Sequence, residues 1–218
     1  AVDFEVAYAF KMPVLRQAFD QMQVQNCTDF QQFCQTQKSW LDDYALFVVL
    51  REKQGDRPWY TWDSDYRLRN PAALKSFSEQ HHAAISFQKW LQYMFNNQWT
   101  KLRRYCHARN ISILGDIPIY VSHDSADVWA NPSLFALHDD GSIKDVAGVP
   151  PDYFNADGQL WGMPVFNWKM HRKTGFKWWI ARIKRNIDLF DSVRLDHFRA
   201  FSAYWEVPAT AESAKMGA

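Results

Sequence analysis

The residues best suited to chemistry are two acidic side chains, each placed at the end of a segment that reads as a strand. Asp116 follows residues 111–115, and Asp196 follows residues 192–195. The first segment is dense in β-branched residues, as a buried parallel strand should be, and the second reads as a short strand; parallel α/β folds place their active sites at the carboxyl ends of strands. The pattern therefore predicts that the two carboxylates are candidate site residues at the edge of a parallel sheet.

Arg194 adds a cation to the second acidic position. Residues i and i+2 of a strand face the same side, so Arg194 and Asp196 should point together, whereas alternation turns His197 away from Asp196. A guanidinium beside a carboxylate favours the ionised form, which a carboxylate nucleophile requires. A structural ion pair at a strand end would leave the same pattern, so the residues alone leave both interpretations open.

Aromatic residues, which make up 17% of the chain, provide the other indication of a ligand site. Residues 122–170 contain Pro, Gly, Asn, Asp and Trp without a long periodic run, which is typical of an insertion or a long functional loop. Tyr153 and Phe154 follow a proline pair there, and Trp161 comes soon after. Rings held on such a loop can pack against the flat faces of sugars. The alternative is that these rings form a small core within the loop itself.

The elements that must position these residues give an alternation of helix and strand. Helical signals dominate residues 1–110, including Asn70 as an N-cap before Pro71. Residues 176–187 have apolar side chains at helical spacing, which predicts a helix with one buried stripe before the strand at 192–196. Helix, strand, insertion, helix and strand together predict the α/β class with a parallel sheet.

Composition excludes several other classes of function. The 218 residues contain 25 Lys+Arg and 24 Asp+Glu, so no strong field attracts nucleic acid or an anionic membrane. No apolar run approaches the roughly 20 residues that span a bilayer, and we see no signal peptide. The three cysteines form no CxxC pair, which argues against disulfides or a zinc site and favours the reducing cytoplasm. We find no metal-ligand cluster.

Several motifs in this order resemble one enzyme family. Residues 115–121, 124–129, 148–154 and 194–199 are similar to the 4-α-glucanotransferases, also called amylomaltases or disproportionating enzymes, of the α-amylase clan. The resemblance runs from about residue 5 to 208 and is strongest over 115–206. It implies part of a (β/α)8 TIM-type barrel with an inserted loop-rich subdomain. It also implies transfer of α-1,4-glucan segments between maltooligosaccharides with retention, and without a cofactor.

The resemblance assigns regions and roles along the chain. Asp196 would be the nucleophile that forms a covalent glucosyl intermediate, Arg194 would hold it, and Asp116 would contact the glucose at the cleavage point. Tyr153 and Phe154 would line the glucan path, Trp161 would pack against bound sugar, and His197 would support the site. The regions implied are a mainly helical part (1–110), a barrel strand (111–121), inserted substrate-binding loops (122–170), a barrel helix and strand with the nucleophile (171–208) and a tail (209–218).

The family's general acid is not found in this sequence. That acid is a Glu in a Glu-Asp-Leu-Gly-like segment, and Glu206 and Glu212 both lack this context. The chain also starts at Ala1 instead of Met. We therefore expect a piece of a longer protein that is inactive alone and that self-associates through an exposed strand edge or apolar patch. A related hydrolase and a non-catalytic glucan-binding piece remain the alternatives.

Overall fold

The N-terminal part of the chain is helical. The protein is described by a computed structural model that covers residues 2–22 and 27–218. Asn70 caps its helix as predicted, since its side chain accepts hydrogen bonds from the amides of Ala72 and Ala73, at 3.0 and 3.3 Å. The helices are α1 (Phe4–Gln21), α2 (Thr28–Thr36), α3 (Lys38–Lys53), α4 (Ser64–Arg67), α5 (Pro71–Gln80) and α6 (His82–His107).

The remainder of the chain contains both strands and helices. They are β1 (Leu114–Ile117), α7 (Ala126–Ala130), β2 (Asp145–Val149), β3 (Gln159–Pro164), α8 (Trp168–Lys173), α9 (Lys177–Leu189), β4 (Ser192–Leu195) and β5 (Trp205–Pro208). None of the described helices is long and apolar enough to cross a membrane.

Much of the aromatic excess forms the core. Trp59, Trp62 and Trp129 are buried together between α3 and the loops that follow β1. A second cluster joins α1 and α2 to α6 through buried rings, among them Phe87 and Trp90. Most of the aromatic residues therefore serve to pack the core, and only particular rings remain available to a ligand.

The parallel strands β1 and β4 position the candidate site. They pair with Leu114 opposite Ser192 and Ile117 opposite Leu195. The observed strand β1 is shorter than the predicted segment 111–121 and ends at Ile117, because Pro118 has no N–H for the ladder. This parallel pair, with α9 against both strands, confirms the α/β class. A complete barrel is not formed by the strands described.

One carboxylate anchors the start of both strands to α6. Asp191, just before β4, accepts hydrogen bonds from Arg103 at 2.6 Å and His107 at 2.8 Å, both on α6. Its other oxygen accepts the amide of Ile113 at 2.8 Å, just before β1. The bond from Ile113, followed by those from His107 and Arg103, holds the pKa of Asp191 well below its usual range. The strand ends opposite the candidate site are thereby fixed.

The predicted loop region 122–170 contains a second sheet. Strands β2 and β3 pair antiparallel, and β5 pairs with the other edge of β2. The periodicity misses β2 because Gly148 interrupts the β-branched pattern. Gly148 is required there, since a Cβ would lie 2.5 Å from the carbonyl oxygen of Gln159. Segment 205–208, predicted as part of the barrel region, belongs instead to this inserted sheet.

The C-terminal segment 209–218 packs on the same sheet. Ala214 is buried, and its carbonyl accepts a hydrogen bond from the Trp205 indole at 2.7 Å. The backbones of Glu206 and Ala218 also exchange hydrogen bonds at 3.0 and 2.9 Å. The segment predicted as a tail is thus a structural part of the inserted sheet.

Candidate functional site

Asp116 and Arg194 form a two-point ion pair across the parallel strands. The register places them side by side on β1 and β4, so their side chains share one face. The guanidinium donates from Nε to Oδ1 at 3.0 Å and from Nη2 to Oδ2 at 2.7 Å. The hydrogen bonds from Arg194 lower the pKa of Asp116, and those to Asp116 raise the pKa of Arg194. Asp116 is therefore an ionised carboxylate at neutral pH.

Asp196 lies one residue beyond β4, with its side chain open to solvent. Its amide donates to the carbonyl of Ile117 at 3.0 Å, which extends the strand pairing by one residue. Its side chain is 57% exposed, and its carboxylate lies 3.6 Å from Arg194 Nη2. The sequence predicts the proximity of Arg194 and Asp196, but the shorter contacts of Arg194 are made with Asp116. Arg194 thus bridges two carboxylates and leaves Asp196 the freer one.

His197 turns the chain away from the strand direction. It adopts a left-handed conformation with φ 53°, and its ring lies 5.3 Å from the ring of Trp161. The same ring is 6.3 Å from Tyr120. The residue after Asp196 is therefore part of an aromatic group and connects the parallel pair to the inserted sheet.

We call Tyr120, Trp161 and His197 the aromatic wall. Trp161, on β3, is half-buried and meets Tyr120 edge to face at 5.9 Å. Tyr120 also contacts Phe166 at 5.8 Å and Tyr204 at 6.2 Å, so its ring is fixed from several sides. One member of the wall, His197, directly follows Asp196 in the chain. Sequence reasoning missed Tyr120, whose signal was its place four residues after Asp116 within the motif 115–121.

Tyr153 and Phe154 occupy the exposed turn between β2 and β3. They are 96% and 92% exposed, and their rings meet each other edge to face at 5.6 Å. Asp152 shapes the turn by accepting the amides of Phe154 and Asn155 at 2.9 and 2.8 Å. In the part of the chain that the structure describes, these rings contact each other and do not join the aromatic wall. They are the site candidates most accessible to a long ligand.

Another carboxyl group with an altered pKa lies on the inserted sheet. Burial, and then the nearby Asp145, raise the pKa of Glu206 on β5. These two side chains and Tyr204 line a surface cavity of about 530 Å³. Within residues 2–22 and 27–218, no three His, Cys, Asp or Glu side chains come together to hold a metal ion.

Comparisons with known proteins agree on one family. The model of the 4-alpha-glucanotransferase family matches residues 1–218. The 4-alpha-glucanotransferase of Synechocystis sp. is 45% identical over 99% of this chain, and that of Aquifex aeolicus is 47% identical over 98%. The chain spans about 44% of the length of each of these two relatives.

A solved structure gives the same result for the fold. The amylomaltase from Streptococcus agalactiae in complex with acarbose superposes with a TM-score of 0.92 and 37% identity. The match covers all of this chain and 44% of that protein. With a family model that matches along its whole length, this chain belongs to the 4-alpha-glucanotransferase family.

Proposed function

We propose that this chain carries the nucleophile and part of the glucan-binding surface of a retaining 4-alpha-glucanotransferase. The observation that carries the proposal is the exposed carboxylate of Asp196, held 3.6 Å from Arg194 and followed directly by His197 of the aromatic wall. A carboxylate nucleophile is what retaining attack on a sugar requires, and aromatic rings close along the chain offer faces on which a sugar can pack.

In the proposed reaction, a carboxylate oxygen of Asp196 bonds to the anomeric carbon of an α-1,4-glucan. The glycosidic C–O bond breaks, and its electron pair leaves with the departing segment, whose oxygen takes a proton from a general acid. The 4-hydroxyl of an acceptor glucan then attacks the anomeric carbon and gives its proton to the conjugate base of the general acid, while the bond to Asp196 breaks and its electron pair returns to the carboxylate. Two inversions at one carbon retain the α-configuration. Arg194, 3.6 Å from the carboxylate, would hold Asp196 in position.

Asp116 is unsuited to the role of general acid. Its carboxylate is bound at both oxygens by Arg194, and its pKa is lowered, so it carries no proton to donate near neutral pH. We propose that it accepts hydrogen bonds from sugar hydroxyls next to the nucleophile. The acid would then come from outside this chain, and the chain alone would bind glucans without transferring them.

The aromatic wall and the exposed turn divide the sugar contacts between them. Trp161 is half-buried and fixed by a hydrogen bond from its indole to Gln159 at 3.0 Å, so it can stack on a sugar at the reacting end. Tyr153 and Phe154 would grip a more distant part of the chain, and their exposure fits a long glucan. The proposed ligands are therefore maltooligosaccharides several units long.

Calorimetric titration with maltoheptaose tests this proposal. We expect the 218-residue chain to bind it, and Trp161→Ala to bind it about tenfold more weakly because a stacking surface is lost. Trp40→Ala is the matched control, since Trp40 lies on α3 against Arg185. Maltotriose incubated with the chain should remain maltotriose. Absence of binding, or equal effects of the two substitutions, would refute the proposed site.

A further inference from the structure

Arg182 on α9 holds the loop that follows β1. Its Nη1 donates to the carbonyl of Ile119 at 2.9 Å, and its Nη2 donates to the carbonyl of Pro118 at 2.6 Å. These carbonyls lie just beyond the last paired residue of β1, so the strand ladder does not fix them. One planar guanidinium therefore fixes two successive peptide groups where the chain leaves the sheet.

The surroundings of Arg182 restrain its own position. The guanidinium lies over the rings of Trp178 at 5.3 Å and Trp179 at 5.1 Å. Burial lowers its pKa, while the nearby charge of Asp127 opposes that shift. A partly buried cation needs its hydrogen bonds satisfied, and the two carbonyls meet that need. The contact is thus a fixed feature of the fold.

The residue after the two held carbonyls is Tyr120, the centre of the aromatic wall. Tyr120 is 4% exposed, and its ring touches those of Trp161 and His197. Its hydroxyl oxygen is buried and has no hydrogen-bond partner among the described residues. The hydroxyl therefore does not anchor the side chain. The position of Tyr120 depends on the contacts of its ring and on the backbone of residues 118–119.

We propose that Arg182 is a positioning residue that acts through Tyr120. By fixing the carbonyls of Pro118 and Ile119, it keeps the Tyr120 ring against Trp161 and His197, beside the nucleophile. This inference concerns the geometry of the wall, and it rests on the proposed function only where it extends to glucan affinity.

Fluorine NMR of protein labelled with 5-fluorotryptophan tests the geometry. The Trp161 signal is the one that disappears in Trp161→Phe, and Tyr120→Leu gives the direction in which that signal moves when the ring contact is lost. We expect Arg182→Met, which keeps the stem but removes both donors, to move the Trp161 signal in the same direction. Arg185→Met is the matched control, because Arg185 lies three residues later on α9, over Trp40 at 5.2 Å. It should leave the Trp161 signal unchanged.

A wild-type Trp161 signal in folded Arg182→Met, or an equal shift in Arg185→Met, would overturn the proposal. If Arg182→Met does not fold, Arg182→Lys decides: an intermediate shift supports the proposal, and a wild-type signal overturns it. Titration with maltoheptaose adds a functional result, with affinity roughly tenfold lower in Arg182→Met and unchanged in Arg185→Met. If the wild type binds no glucan, the proposed function fails while the NMR result still decides the role of Arg182.

Discussion

Arg194 is shared unequally by two carboxylates. It binds both oxygens of Asp116 at 3.0 and 2.7 Å and lies 3.6 Å from Asp196. Strand alternation was enough to predict that Arg194 and Asp196 lie close together, because both belong to one short segment. The contact with Asp116 depends on the register of β1 against β4, two segments separated by 74 residues of sequence, which no local pattern reveals. The same limit hid the place of Tyr120 in the wall.

His171 should make the protein less stable in acid. Its side chain is fully buried between rings that include Phe166 and Trp168, at 5.5 and 5.4 Å. Burial lowers its pKa, and the nearby Leu134 carbonyl, which already accepts the Asn167 amide, opposes this shift only in part. The unfolded state, with a pKa of about 6.5, therefore binds the proton first as the pH falls. Stability is complete above about pH 6.5 and declines below it.

Denaturant unfolding at several pH values measures this effect. His171→Leu removes the titrating group at similar volume, so its free energy of unfolding should fall less than that of the wild type between about pH 7 and 5. His123, whose pKa burial also lowers, is present in both proteins and cancels in the comparison. Parallel pH profiles for the two proteins would show that His171 does not titrate as described.

At the scale of elements, the sequence predicted those features that depend on neighbouring residues. Asn70 and Pro71 predicted the start of α5 because a helix cap involves neighbouring residues, whereas the predicted strand 111–121 is longer than the observed β1. The stripe expected on α9 is only partly buried, since Trp179 is enclosed while Ile180 and Ile187 are exposed. A periodic pattern shows which face is apolar but not what covers it. The sheet β3-β2-β5 was missed because Gly148 interrupts the pattern of β2 and because β5 pairs with β2 from a distant segment.

Gly115 should be essential to the packing of the parallel pair. A Cβ at this position would lie 2.3 Å from the Phe190 ring, which contacts Trp99 on α6 at 5.5 Å. We expect Gly115→Ala to lower the free energy of unfolding by about 1–3 kcal/mol, as overpacking does. Thermal or urea unfolding measures the loss, and adding Phe190→Leu should restore part of it. Equal stability of Gly115→Ala and wild type would contradict the close contact of ring and strand.

At the scale of the molecule, two structural units meet near Asp196, the proposed nucleophile. The parallel pair contributes Asp116, Arg194 and Asp196, while the inserted sheet contributes Trp161, and His197 joins the two. The fold class followed from the alternation of elements, whereas the family relationship rested on motifs longer than any single element. This chain, which spans about 44% of the length of its relatives, carries both units. In the proposed function, glucan binding and the attack by Asp196 would take place on this chain, and the general acid would come from outside it.

The role of Asp196 as the nucleophile is tested most directly with a substrate whose leaving group needs no proton. With 5-fluoro-α-D-glucosyl fluoride, Asp196 would bond to the anomeric carbon as the C–F bond breaks and fluoride departs with its electron pair. We expect a stable adduct by intact-mass spectrometry, located on the tryptic peptide 195–199 and absent in Asp196→Asn. An adduct on another residue, or none in a chain that binds maltoheptaose, would contradict the assignment of Asp196 as the nucleophile.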